Sequence, residues 1–136
     1  MQMNEAPTGA AAMAGTFLAN GYPAVVLFDS GASHTFISSA FIARNNVEVD
    51  QAKNTYHIKS PGGQLVADQM VRDLALDLNG LIYSTSPLVL HHQGIDLILG
   101  VDWMSQYEVV LDTSARTVNM NSPDGSCNIN IYLADH

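Results

Sequence analysis

Turn-forming residues recur so often along this chain that no regular element in it can be long. Asn20-Gly21 and Asn79-Gly80 tolerate positive φ and close two-residue hairpins, and Pro61-Gly62-Gly63 breaks a third stretch. The segments between these points read as short strands. Thr16 to Ala19 and Ala24 to Phe28 flank the first turn; Thr55 to Ser60 and Gln64 to Val71 flank the paired glycines, with Tyr56 and Ile58 on one side; Leu74 to Leu78 and Leu81 to Tyr83 flank the last. Further strands are expected at Leu88 to Leu90, Val109 to Leu111, Thr117 to Met120 and Asn128 to Leu133. Asp96 to Gly100 is apolar on both faces, which marks a central strand. Two short helices are expected: Ser38 to Asn46, where a serine in N-cap position precedes Phe41 and Ile42, and Val101 to Tyr107, which carries Trp103. The pattern predicts an all-β fold, a barrel or folded sheet with one or two short helices.

Length and composition narrow the function. At 136 residues there is room for one core, so residues 15–136 are read as a single domain and residues 1–14 as a flexible lead-in. That lead-in has no basic region and no long apolar run, so it does not read as a signal peptide. With 47% apolar and 13% charged residues the chain can fold, and no apolar run nears the roughly 18 residues of a membrane span. A formal charge of -8 argues against direct nucleic-acid binding. The lone cysteine, Cys127, excludes an intrachain disulfide and is read as an inert thiol, and an intracellular, cytoplasmic home is the expectation.

The most informative stretch runs from Val25 to Ile37, where an apolar strand (Val25-Val26-Leu27-Phe28) leads straight into Asp29-Ser30-Gly31-Ala32-Ser33-His34. A carboxylate at the rim of a core is partly desolvated, and the glycine lets the backbone turn so that neighbouring amides and hydroxyls orient it. An ordinary turn after a strand would use the same residue types, so the tripeptide alone leaves both readings open.

The stretch FDSGASHTFIS, followed by DLILGVDWMSQY and VVLDTSARTV, resembles the retroviral-type aspartic proteases, the retropepsins, and most closely the protease segment of plant-type gypsy-class LTR retrotransposon polyproteins. The likeness covers the chain from about Gly15 to about Met120. It implies a retropepsin-like barrel that forms a two-fold homodimer, with Asp29 as the catalytic residue. It also implies that Ser30, Gly31 and Ala32 form the active-site loop, that Ser33 binds substrate, and that Pro61, Gly62 and Gly63 form a flap tip closing over an extended peptide. Ile98-Leu99-Gly100 would pack beneath the catalytic loop. Where viral enzymes often carry acidic residues after the alanine and an arginine after the second glycine, this chain has Ser33-His34 and Val101-Asp102. The Gly-x-Asp-Trp pattern is that of the retrotransposon branch.

Peptide hydrolysis by carboxylates needs two of them sharing a proton, one acting on water and one on the carbonyl oxygen. No second Asp-Ser-Gly occurs: Asp96 precedes a core strand, Asp102 precedes Trp103 in an expected helix, and Asp73, Asp77 and Asp112 belong to hairpins. The second carboxylate is therefore expected from Asp29 of a second copy. Like-charge repulsion within such a pair favours mildly acidic conditions. No metal or other cofactor is expected. His91-His92 is read as loop because adjacent side chains on a strand diverge, and His34 as a surface or hydrogen-bonded histidine. The expected partners are a second copy and a polypeptide substrate. A non-catalytic dimerisation or peptide-binding module with the same fold is the alternative; the presence of Asp29, Ser30, Gly31 and the Gly-Gly tip favours the enzyme.

Overall fold

The structure is a computed structural model that describes residues 12–60, 63–91, 94–122 and 125–130. In chain order its elements are β1 (Ala12–Ala19), β2 (Tyr22–Asp29), β3 (Phe36–Ser38), α1 (Ser39–Asn45), β4 (Asp50–Ser60), β5 (Gly63–Met70), β6 (Leu74–Leu78), β7 (Leu81–Thr85), β8 (Leu88–Leu90), β9 (Leu97–Leu99), α2 (Val101–Gln106), β10 (Val110–Asp112), β11 (Thr117–Ser122) and β12 (Gly125–Asn130). Nine strands form one sheet in the order β4-β5-β8-β3-β9-β2-β1-β6-β7, and β10-β11-β12 form a second.

Local chemistry accounts for the turns. Asn20 and Gly21 have φ of 51° and 84°, and Asn79 and Gly80 have 56° and 99°, the paired positive values that match a tight turn to the twist of its hairpin. Helix α1 starts where Ser38 Oγ accepts the Ala40 N–H at 3.1 Å and stops where Asn46 turns left-handed at φ 56°.

Several elements differ from the sequence expectation, among them β4, which starts at Asp50 and not at Thr55. Strand β1 starts at Ala12, so Ala12, Met13 and Ala14 belong to the sheet and not to a lead-in, and Met13 and Ala14 are buried. Their pairing with Asp29, Phe28 and Leu27 outweighs the weak strand preference of alanine. Strand β3 was not expected, because Phe36-Ile37-Ser38 runs directly into the helix and has no turn signal between them; tertiary partners on both sides create it. The last strand lies at Gly125–Asn130, earlier than Asn128 to Leu133, and residues 131–136 are outside the described ones.

What positions the site is the placement of β9. It runs parallel to β2 on one side and antiparallel to β3 on the other, so the two strands that flank residues 30–35 are not neighbours. That loop must therefore bridge over the C-terminal end of β9. Leu97 and Leu99 are buried, as a strand with a neighbour on each side requires. Beneath it lies the main core, in which Phe28 packs edge-on against Phe17 and tilted against Trp103. A second cluster of Phe36, Ala52, Ala67, Leu88 and Leu90 fixes the root of the β4–β5 hairpin. Among the described residues no helix is long and apolar enough to cross a membrane.

Candidate active site

Asp29 is the last residue of β2, one position beyond the fully buried Phe28 and itself half-buried. Its own loop orients it: the Gly31 N–H donates to Oδ1 at 2.8 Å, and the Ala32 N–H donates to the Asp29 carbonyl at 3.1 Å. Asp29 so placed has one carboxylate oxygen fixed by an amide of its own loop, in a residue that is half-exposed. Ser30 is half-buried, and Gly31 and Ser33 are exposed.

The loop is also held from below. The Val101 N–H donates to the Ala32 carbonyl at 2.8 Å, tying the middle of the loop to the start of α2. Gly100 lies directly underneath, and a Cβ built there would sit 2.4 Å from the His34 carbonyl oxygen and 2.7 Å from that of Ala32. No side chain fits, so Ile98-Leu99-Gly100 underlies the loop as the resemblance implied. At the far end Thr35 is buried, and its hydroxyl works in both directions: it donates to Asp102 Oδ1 at 2.7 Å and accepts the Gly100 N–H at 3.1 Å. Asp102 Oδ2 accepts the Thr35 backbone N–H at 3.2 Å, and Oδ1 accepts the Trp103 N–H at 2.7 Å. The parts played by Thr35 and Asp102 were not read from the sequence, because their contact spans 67 residues and no local spacing signals it.

The remaining candidates fall as follows. His34 hydrogen-bonds Ser33 through Nδ1 at 3.1 Å, and its ring meets Tyr56 of β4 edge-on at 5.2 Å, so it links the loop to the β4–β5 hairpin. Gly63 opens β5 opposite Ser60, with φ 126°; Pro61 and Gly62 lie outside the described residues. Asp96 accepts the Val25 N–H at 2.8 Å and pairs with Arg44 at 3.1 Å, while His91 bonds Ser39 at 2.7 Å, so these two do not converge. His92 lies outside the described residues. Asp77 and Asp112 each accept a backbone N–H three residues on and close turns. On the other side of the loop an open groove of about 320 Å³ is lined by Ser30, Val101, Met104, Glu108, Val109 and Leu111, among others.

A sequence profile described as retroviral aspartyl protease matches residues 1–126. The chain belongs to that family. Its fold is retropepsin-like, as two solved structures show. The retroviral protease-like domain of Ddi1 from Leishmania major superposes with a TM-score of 0.66 at 16% identity, covering 90% of this chain and 94% of that one. The EIAV protease, solved in complex with the inhibitor HBY-793, superposes with a TM-score of 0.57 at 21% identity, covering 78% of this chain and 93% of that one. No curated protein matches by sequence.

Proposed function

We propose that this chain is an aspartic endopeptidase of the retroviral and retrotransposon type, active as a homodimer in which Asp29 of each copy supplies one carboxylate. The observation that carries the reading is the state of Asp29. It stands half-exposed on a braced loop and bonds only within that loop among the contacts described, whereas Asp96, Asp102, Asp77 and Asp112 each hold other parts of the structure or close turns. Two carboxylates are needed, and among the described residues only Asp29 is set in this way, so a two-fold axis through the loop would provide the other. Support for that axis comes from the groove beside Ser30 and from Val101 and Val110, which are 41% and 60% exposed. A second copy would cover both.

In the reaction, the ionised member of the pair takes a proton from water as the water oxygen bonds to the peptide carbon. The protonated member gives its proton to the carbonyl oxygen. Collapse of the tetrahedral species breaks the C–N bond: the nitrogen takes the proton that the first member gained from water, a hydroxyl of the diol returns its proton to the second member, and the pair is again singly protonated, with no covalent enzyme intermediate. Ser30 would tie the two loops together, and Ala32 and Ser33 would line the cleft. The hairpin tip at Pro61, Gly62 and Gly63 would cover an extended, mainly apolar substrate such as a polyprotein junction and exclude water. Gly100-Val101-Asp102-Trp103 supports an origin in a plant-type gypsy-class LTR retrotransposon polyprotein.

The test is cleavage of a peptide library at about pH 5, where a carboxylate pair holds one proton, with Asp29→Asn as control. Wild type is expected to cleave and the variant to fall below detection, with sedimentation showing the dimer. Equal turnover by the two proteins rejects the proposal.

A further inference from the structure

Asp102 takes no part in the pair chemistry, yet it occupies the centre of the bonds that close the loop. Its Oδ1 accepts the Thr35 hydroxyl at 2.7 Å and the Trp103 N–H at 2.7 Å, and its Oδ2 accepts the Thr35 N–H at 3.2 Å. Three donors converge on two oxygens, a demand that a carboxylate meets and a primary amide cannot. Asparagine would turn its NH2 toward the Thr35 N–H or toward the other two donors, whichever way it is flipped. The Thr35 hydroxyl has one hydrogen. Because Asp102 takes it, a lone pair of Oγ1 is left facing the Gly100 N–H, which it accepts at 3.1 Å. Gly100 in turn carries the carbonyls of Ala32 and His34 against its bare Cα, and the Val101 N–H holds the Ala32 carbonyl at 2.8 Å. Ala32 closes the chain of contacts by donating to the Asp29 carbonyl.

We propose that Asp102 is a positioning residue for Asp29: its carboxylate fixes the hydroxyl of Thr35, which fixes Gly100 and through it the height and tilt of residues 29–32. This role rests on the hydrolytic reading above. Asp102 touches neither substrate nor the reacting atoms, so its loss is expected to appear in turnover more than in substrate affinity.

The experiment compares wild type with Asp102→Asn, Thr35→Ser, Thr35→Val and the double variant Asp102→Asn/Thr35→Val, all as full chains well below their melting temperatures. Losing the charge-assisted bonds is expected to lower kcat roughly 10- to 100-fold with KM changed less than about threefold. Thr35→Ser keeps the hydroxyl and is expected to retain turnover, while the double variant falls no further than Thr35→Val alone, as expected for one linked unit. Amide exchange supplies a readout independent of activity: Gly31, Ala32, Gly100 and Val101 are expected to exchange faster in Asp102→Asn, with Leu76 and Leu78 of β6 unchanged. A kcat loss that merely tracks the folded fraction, or exchange that speeds up equally throughout or not at all, overturns the proposal. If wild type cleaves nothing, the hydrolytic reading fails, and local exchange still decides for or against the positioning role. Should Asp102→Asn not fold, the Thr35→Ser and Thr35→Val pair gives the same decision.

Discussion

The loop at residues 29–35 and the β4–β5 hairpin, which the proposed function sets on either side of a bound peptide, are built in opposite ways. The loop has no regular structure, yet it is tied at its start by Asp29 itself, in its middle by Val101 and at its end by Thr35 and Asp102. The hairpin is paired strand for most of its length, yet it packs only on the smaller cluster, through Ala52, Tyr56, Ile58 and Ala67, and not on the main core. At its root β5 meets β8 through one pair, Met70 with Leu88, and the register of β4 shifts between Gln51 and Tyr56. His57 and Lys59 are exposed, and Val66 is 58% exposed. Secondary structure is thus a poor guide to rigidity here; what counts is how many distant parts of the chain hold a segment. A group that must be placed to within half an ångström belongs on the first kind of segment, and a cover that must open belongs on the second.

Substitutions can break or sharpen this contrast. The largest effect is expected from Gly100→Ala, because the added carbon meets backbone oxygens that cannot step aside. Chemical denaturation should report a loss of about 3 kcal/mol, the upper end for overpacking, and cleavage should be abolished. A medium effect is expected from Ser38→Ala, which removes the cap of α1 just beyond β3: about 1 kcal/mol by the same measurement, with turnover of the folded protein unchanged. The smallest is expected from Val66→Ser on the hairpin, within about 0.5 kcal/mol of wild type in stability. If Val66→Ser costs as much as Gly100→Ala, the hairpin is not the loosely held region described above.

Much of this was legible in the sequence because the signals were local. The Asn-Gly turns, the Ser38 cap, the Asn46 stop and the central character of Leu97 to Leu99 each follow from neighbouring residues. So does the placing of Asp29 at a strand end ahead of a glycine. What stayed hidden depends on pairing across long separations. Strand β3 exists because β8 and β9 flank it, and Ala12 to Ala14 are extended because β2 runs beside them. Asp102 read as an ordinary acid at the start of a helix, and only the fold brings Thr35 to it.

The insertion of β9 between β2 and β3 also sets an order of events. Bonds that hold the loop from below join residues separated by 65 to 69 positions, among them Thr35 to Gly100 and Ala32 to Val101. A ribosome adding about 5–20 residues per second therefore delivers the underside of the loop roughly 3 to 14 s after its top. Through that interval the segment around Asp29 has β1 beside it but neither β9 nor Gly100 beneath it. A nascent chain cut short before residue 97 would carry every residue of the Asp-Ser-Gly motif and the local bonds from Gly31 and Ala32 to Asp29, without the support that Gly100, Val101 and Asp102 place beneath them.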